Sequence, residues 1–260
     1  PYQLERRNLT RLLWVFEGIT SYYQDLLVLR SDLIGPQDYL QRLGQILTRV
    51  YRAPGRFKQS IAEASFDAWD KLYKPDANLN NVAISYYSKG ALVALVLDLT
   101  LRRDSDSAVT LDSVMLELWK RFGEVGRGVA EEDFESLVEE LSGRDMKDFF
   151  DVAVRGTEDL PLTNVLEGFG INLGFRAATG PDDLGGSKRG ESDETLLSLG
   201  AQYEERSPGV ELTQLLDGGP AQAAGLMPGD HLIAINGFKV TSAKLGAQLE
   251  HFEEGDEIWV

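Results

Sequence analysis

The sequence predicts an α+β protein of two domains, a helical one over residues 1–156 and a β-rich one over residues 171–260, joined by a linker at residues 157–170. Apolar residues recur at helical spacing through the first part, whereas strand-like runs and glycine-rich turns are confined to the second. A chain of 260 residues is long enough for two domains of ordinary size.

Three long helices are expected in the first domain. The stretch from Leu12 to Leu29 is almost continuously apolar, which indicates a buried helix. A second helix starts at Pro36, and a third runs from near Ile84 to Arg103. Shorter amphipathic helices are predicted over Leu111 to Phe122, Glu131 to Leu141 and Met146 to Val154.

Short strands and turns dominate the second part. Strands are predicted at Ile171 to Ala177, Leu196 to Glu205, Val210 to Leu216, His231 to Ile235, Phe238 to Val240 and Ile258 to Val260. Asn236-Gly237 predicts a two-residue hairpin between two of them. Residues from Thr179 to Glu194 are rich in Gly, Asp and Ser and predict a long mobile loop, and Ser242 to Phe252 has helical spacing.

Composition excludes several classes of partner. The formal net charge of -16 argues against nucleic-acid binding, which needs clustered lysine and arginine. No apolar run approaches the roughly 20 residues of a membrane helix, so no membrane partner is expected. The absence of cysteine excludes disulfides and thiolate chemistry. It fits a cytoplasmic location, with a periplasmic one as the alternative.

Glu17 is the first unusual residue, because it lies in the most apolar helical stretch of the chain. An unpaired buried carboxylate is costly, so Glu17 must pair with a cation, become protonated or bind a metal. From the residues alone, both a cation such as Lys89 or an arginine and a metal ion remain open. The neighbouring Gly18 weakens a helix by about 1 kcal/mol relative to alanine, which close approach of another element would explain.

The second unusual feature opens the third long helix. Ser85-Tyr86-Tyr87-Ser88-Lys89-Gly90 presents two phenols and an ammonium group on a lightly covered backbone. A tyrosine hydroxyl can donate a hydrogen bond to a developing oxyanion. The alternative is a pair of core tyrosines beside a lysine whose stem lies along apolar surface.

These two segments resemble the gluzincin metallopeptidases. The run Trp14-Val-Phe-Glu17-Gly18-Ile-Thr20 is similar to the helix that carries their third zinc ligand, and Tyr86-Tyr87-Ser-Lys89-Gly90 is similar to their Tyr-x-Lys-Gly segment. Among them, the sequence resembles the M61 peptidases, glycyl aminopeptidases with a thermolysin-like catalytic domain and a C-terminal PDZ domain. Arg11-Leu-Leu-Trp14 and Glu63-Ala-Ser-Phe-Asp-Ala-Trp69 resemble the same family.

The resemblance implies a role for each of these residues. Glu17 would be the third protein ligand of a catalytic zinc, and Tyr87 would stabilise the tetrahedral intermediate. Gly18, Thr20 and Tyr86 would contact the substrate. If part of the family's catalytic domain is missing from this sequence, the helix faces that would pack against it are expected to be exposed. They would form an apolar patch near Trp14, Tyr22 and Tyr87.

The rest of the family's zinc site is expected to lie upstream. In the family, two ligands and the general base come from a His-Glu-x-x-His helix. This sequence has only His231 and His251, far apart in its C-terminal region. We therefore expect that motif to precede Pro1 in a longer parent protein. By itself, the present sequence is expected to hold no zinc and to be inactive.

The C-terminal region strongly resembles a bacterial PDZ domain that is truncated after Val260. In the resembling segment, Leu212 to Gly237, Pro220 starts a short helix and Gly225 ends it. The resemblance implies a peptide groove between the Leu196 to Glu205 strand and the Ser242 to Phe252 helix. Ser198, Leu199 and Gly200 would form the loop that holds a peptide carboxylate. That loop reads Ser-Leu-Gly-Ala where the family pattern is Gly-Leu-Gly-Phe. A rigid brace between domains is therefore the alternative to peptide binding.

Two functions follow from the sequence. The first is the C-terminal part of a zinc aminopeptidase that hydrolyses N-terminal residues of peptides by metal-activated water. The second is a non-enzymatic peptide-binding or scaffold protein that keeps a degenerate peptidase fold. A His-Glu-x-x-His segment just upstream of Pro1 would favour the enzyme, and its absence would favour the scaffold.

Overall fold

A computed structural model describes residues 5–178, 183–187 and 197–260 of the chain. The first nine α-helices are α1 Ile19–Arg30, α2 Pro36–Tyr51, α3 Ile61–Phe66, α4 Leu79–Val82, α5 Ser88–Asp104, α6 Leu111–Leu118, α7 Asp133–Ser142, α8 Lys147–Phe150 and α9 Leu162–Glu167. Wider π-helical turns lie at Trp14–Gly18, Trp119–Gly123 and Asp151–Arg155, and a 3-10 turn lies at Pro54–Phe57. The predicted helical N-terminal region is confirmed.

Helix α5 is the centre of the helical core. All of its residues from Ser88 to Asp98 are buried. Buried Asp98 accepts hydrogen bonds from the Tyr22 hydroxyl (2.7 Å), from Arg102 Nε (2.9 Å) and from the backbone N–H of Leu111 (2.8 Å). Because these partners lie on α1, α5 and α6, one carboxylate ties three helices together.

The region predicted as a linker folds with the helical domain. Within residues 157–170, the α9 side chains Leu162, Val165 and Leu166 are buried in the helical core. Residues 171–178 form no strand, in contrast to the prediction, and Ile171 and Leu173 pack on the same core. Of the predicted loop at residues 179–194, only 183–187 belong to the described residues.

The second domain is a small sheet structure with its own core. Its elements are β1 Ala201–Arg206, β2 Gly209–Leu215, α10 Pro220–Ala223, β3 His231–Leu232, β4 Ala234–Ile235, β5 Phe238–Lys239 and α11 Ser242–Leu249. The antiparallel order β1-β2-β3 makes β1 an edge strand, and β4 pairs with β5.

Two predicted turns form in this domain, whereas one predicted strand does not. Gly225 ends α10 with a φ of +82°, and Asn236 and Gly237 turn the β4–β5 hairpin with φ of +47° and +82°, both as predicted. No strand forms at residues 258–260. That segment is instead held by the turn, since Asn236 N–H donates to the Trp259 carbonyl (2.9 Å) and Trp259 N–H donates to Asn236 Oδ1 (2.8 Å).

Asn81 joins the two domains. This buried α4 side chain donates from Nδ2 to the Leu215 carbonyl (2.6 Å) and accepts at Oδ1 from the Asp217 N–H (2.9 Å). Asn80 adds a hydrogen bond to Gln214 (2.6 Å), and Lys58 forms an ion pair with Asp217. A single amide thus satisfies one backbone acceptor and one backbone donor of the other domain.

Among the described residues, no helix is long and apolar enough to cross a membrane.

We predict that Asn81→Ala lowers the free energy of unfolding by about 1–3 kcal/mol, because it leaves the Leu215 carbonyl and Asp217 N–H without their partner. Urea unfolding followed by circular dichroism measures this loss. Asn80→Ala is the matched control, since it removes a single side-chain contact at a half-buried position. Equal stability of Asn81→Ala and wild type would contradict the assignment of Asn81 as the domain contact.

Candidate active site

Glu17 lies on the π-helical turn Trp14–Gly18, in which the N–H of Ile19 bonds to the Trp14 carbonyl. Such a turn adds one residue to the helix and is frequent at functional sites. It leaves Trp14, Val15 and Gly18 buried and Glu17 half-buried. The extra residue therefore turns the carboxylate away from the core face on which its neighbours pack.

Gly18 and Gly90 allow two helices to touch at their backbones. A β-carbon on Gly18 would lie 2.8 Å from two backbone carbons of Gly90 and 3.0 Å from the Tyr86 carbonyl oxygen. One on Gly90 would lie 3.0 Å from the Gly18 Cα. The close approach predicted from Gly18 is confirmed, and it brings the Glu17 turn against the start of α5.

Tyr86 and Tyr87 stack on each other, with ring centroids 4.6 Å apart, but differ in exposure. Tyr86 is 1% exposed, whereas Tyr87 is half-buried. Burial, first of all, raises the pKa of Tyr86. Of the two phenols, only Tyr87 is open to a substrate.

Tyr73 is the site residue that sequence reasoning missed. Its hydroxyl lies 3.0 Å from the Tyr87 hydroxyl and 3.2 Å from that of Tyr86, although its side chain is 52% exposed. Its ring lies 5.5 Å from Trp69, four residues earlier. That spacing was the only local signal, because the stretch before α4 has no apolar periodicity that would mark a functional residue.

The charge of Glu17 acts on Tyr87. The hydrogen bond with Tyr73 is the largest cause that raises the pKa of Tyr87, and the Glu17 carboxylate raises it further. The Tyr87 phenol therefore keeps its proton at neutral pH and can act as a hydrogen-bond donor. Glu17 itself forms no hydrogen bond or ion pair through its carboxylate with any residue that the structure describes.

Comparisons with known proteins match two parts of this chain to known families. The sequence pattern of the M61 glycyl aminopeptidase family matches residues 1–93, and that of the PDZ domain matches residues 170–255. Residues 1–93 are thus similar to the M61 glycyl aminopeptidase family. They contain Glu17, Tyr73, Tyr86 and Tyr87, so the whole candidate site lies in the M61 segment.

A solved structure is similar along nearly the whole chain. It is a crystal structure of an aminopeptidase N family protein from Idiomarina loihiensis, with 38% sequence identity and a TM-score of 0.92. The match covers 99% of this chain and 44% of that one. This chain therefore spans less than half the length of that relative. A comparison with curated protein sequences finds no match.

Lys89 does not pair with Glu17 in the M61 segment, which corrects the cation expected from the sequence. It is 2% exposed, and its Nζ donates to the Arg56 carbonyl at 3.5 Å. Desolvation by burial lowers the pKa of Lys89, while Asp159 and Glu158 act in the opposite direction. Lys89 thus ties α5 to the turn Pro54–Phe57 and takes no part in the candidate site.

The expected apolar patch is also corrected. Trp14 and Tyr22 are 1% and 7% exposed, because Trp14 packs edge-on against Phe134 and Tyr22 bonds to Asp98. The exposed aromatic residues of this region are Phe16, Trp69 and Tyr73.

The three residues predicted to contact substrate, Gly18, Thr20 and Tyr86, differ in solvent exposure. Gly18 is buried against Gly90 and Tyr86 is buried under Tyr87, which gives both of them packing roles in this chain. Thr20 is exposed, and its hydroxyl donates to the Phe16 carbonyl. Of the three, Thr20 alone presents a side chain at the surface.

The Glu17 carboxylate is a possible metal ligand at the site, and the described residues supply no cluster of further ligands. Within them, no group of three or more His, Cys, Asp or Glu side chains could hold a metal ion. A zinc ion takes carboxylate oxygen among its usual ligands, and a half-buried carboxylate without a protein partner fits that use. The chemistry of the Glu17 side chain thus fits a metal ligand.

The PDZ domain places its predicted loop beside the edge strand. Gly200 has a φ of +65°, and its N–H donates to Ser198 Oγ (3.1 Å). The Leu199 and Gly200 carbonyls accept from Ala221 N–H (3.0 Å) and Leu216 N–H (2.8 Å). Leu199 itself is buried in the core of this domain, against which Leu197 also packs.

The predicted groove lies along the outer edge of β1. β1 pairs with β2 on one side, and no described strand pairs with its other side. Across the groove, Glu205 of β1 accepts from the Ser242 N–H at the start of α11, which lowers the pKa of Glu205. An edge strand beside a helix is the arrangement in which a peptide adds to a sheet.

A cavity of about 720 Å³ lies elsewhere. It is formed by α2 together with residues from 166 to 187, and its lining does not include the Glu17, Tyr73 and Tyr87 side chains. Its position gives it no part in the chemistry of the M61 site.

We predict that Gly18→Ala lowers the free energy of unfolding by about 1–3 kcal/mol, because the added methyl group would overlap the Gly90 backbone. Gly246→Ala is the matched control, since Gly246 lies in helix α11 with open space around it. There the same change should stabilise the chain by about 0.5–1 kcal/mol. Urea unfolding of both variants tests the contrast, and an unchanged Gly18→Ala would contradict the tight crossing.

Proposed function

We propose that this chain is the C-terminal part of a zinc-dependent aminopeptidase of the gluzincin type, which hydrolyses N-terminal residues of peptides. The observation that carries the proposal is the backbone contact of Gly18 and Gly90. It sets Glu17, whose carboxylate has no partner among the residues that the structure describes, within electrostatic reach of a protonated phenol, Tyr87. The M61 match over residues 1–93 and the similar aminopeptidase N family structure support the same class.

In this proposal, Glu17 holds the zinc as one of three protein ligands. Bound zinc would supply a Lewis acid that activates water and polarises the substrate carbonyl. The two histidine ligands and the general base would come from a His-Glu-x-x-His helix in the part of the parent that this sequence does not contain. The 44% coverage of the similar structure leaves room for that part. With one ligand, the present chain would be inactive.

Tyr87 would act on the substrate directly. Its phenol keeps a proton, and it would donate a hydrogen bond to the carbonyl oxygen as negative charge develops there. A donor that meets this charge mainly in the transition state raises kcat more than it affects KM. Tyr86, buried beneath it, would fix the ring of Tyr87 by stacking.

The PDZ domain would serve the same enzyme in one of two ways. The position of β1 at the end of the described sheet supports the addition of an extended peptide. The amide of Asn81, which bonds to both Leu215 and Asp217, supports a brace that fixes the domain on the M61 segment.

A non-enzymatic scaffold is the second candidate function. The same edge strand favours it, because peptide binding needs no zinc. A parent without a His-Glu-x-x-His segment, without zinc and without hydrolysis of aminoacyl substrates would support this alternative against the enzyme.

We predict that Glu17→Gln in the full-length parent lowers zinc affinity by more than about 100-fold, because a neutral amide oxygen is a poor replacement for a carboxylate ligand. Metal analysis after dialysis measures the bound zinc. Glu124→Gln is the control, because Glu124 is exposed and distant in sequence from the site. Full zinc content in Glu17→Gln would rule out Glu17 as a ligand.

We predict that Tyr87→Phe in the zinc-loaded parent lowers kcat by about 10² to 10³ with little change in KM, as expected for the loss of an oxyanion donor. Hydrolysis of an aminoacyl p-nitroanilide reports both constants. Tyr86→Phe should change kcat far less and keep its zinc, since its hydroxyl is buried. If the two variants exchange these effects, the roles of Tyr86 and Tyr87 are reversed.

A further inference from the structure

The three phenols of the site form a cluster with Tyr73 at its centre. The Tyr73 oxygen lies within hydrogen-bond distance of both the Tyr87 and Tyr86 oxygens, at 3.0 and 3.2 Å. Tyr73 comes from the turns between α3 and α4, whereas the other two open α5. A hydroxyl from a separate segment thus reaches two α5 phenols at once.

The position of Tyr73 is fixed by its own segment. Its N–H donates to the Ala68 carbonyl (3.0 Å), and its ring lies against Trp69. Asp70 in the same turns forms an ion pair with Arg7, and Asp67 forms one with Lys71 (2.8 Å). These contacts hold an exposed ring in one place, so its hydroxyl does not depend on core packing.

Each phenol has one proton, and this fixes which hydroxyl donates in each hydrogen bond of the cluster. A phenol hydroxyl donates one hydrogen bond and can accept two. Without substrate, the Tyr73 contact raises the pKa of Tyr87, as a hydrogen bond donated by Tyr87 does. When Tyr87 donates to a substrate oxygen instead, its contact with Tyr73 must be one in which Tyr73 donates. The proton of Tyr73 is then used, and its contact with Tyr86 must be one in which Tyr86 donates. Only one order of donors satisfies all three contacts, from Tyr86 to Tyr73 to Tyr87 to substrate.

We propose that Tyr73 is a positioning residue, whose hydroxyl donates to the Tyr87 oxygen and so directs the Tyr87 proton to the substrate carbonyl. The inference rests on the proposed function, since it assigns Tyr73 a task in that reaction. Tyr73 acts through Tyr87, because a hydrogen bond accepted by a hydroxyl polarises that hydroxyl and strengthens the bond it donates.

A double-mutant cycle in the zinc-loaded, full-length parent tests this role. Tyr73→Phe keeps the ring and removes the hydroxyl. We expect kcat for an aminoacyl p-nitroanilide to fall about tenfold, the effect of one ordinary hydrogen bond, with KM changed less than about twofold. Tyr73→Phe combined with Tyr87→Phe should be no slower than Tyr87→Phe alone, because the Tyr73 hydroxyl has no further route to the substrate.

Tyr51→Phe is the matched control, a hydroxyl removal elsewhere in the helical domain that should leave kcat unchanged. Assays run below the unfolding transition of each variant, measured by circular dichroism, so that activity refers to folded protein. Multiplying effects of the two substitutions, an unchanged kcat, or a rise in KM alone would each overturn the inference while wild-type activity upholds the proposed function. An inactive wild-type parent would overturn the proposed function, and the inference with it.

Discussion

The backbone contact between Gly18 and Gly90 is the constraint on which the candidate site depends. No side chain separates the two helices there, so their distance is set by backbone atoms. Glu17 and Tyr87 lie on either side of this contact, one residue before Gly18 and three residues before Gly90. Their relation therefore does not depend on the rotamers of intervening residues, which keeps a charged and a neutral group together with little freedom to drift.

Helix α5 secures one side of this contact through its polar residues. Near its start, buried Lys89 bonds to the Arg56 carbonyl, and further along, buried Asp98 bonds to Tyr22, Arg102 and Leu111. Each buried charge has a partner on a neighbouring element, which avoids the large cost of an unpaired one. The result is a central helix held along its length, at whose first turn the phenols can be placed accurately.

The sequence was most informative where a residue was out of place in its local pattern. A carboxylate and a glycine in an apolar helix predicted a site and a close contact, and Asn236-Gly237 predicted a hairpin. Long-range contacts could not be predicted from the sequence. The strand expected over Ile171 to Ala177 failed because Ile171 and Leu173 pack on the helical core, where a short apolar run needs no strand partner. Tyr73 contacts its partners through a single hydroxyl, and such a contact leaves no periodic pattern in the sequence.

The amide of Asn81 has a consequence for separating the two domains. In the intact chain its two partners in the other domain are fixed backbone groups, and a substitution of Asn81 leaves them with no replacement. If residues 1–178 were produced alone, water would hydrogen-bond to the amide in place of the Leu215 carbonyl and the Asp217 N–H. The free-energy cost of losing these two partners would then largely disappear. The helical part should therefore tolerate excision of its neighbour better than it tolerates a single point change at the shared surface.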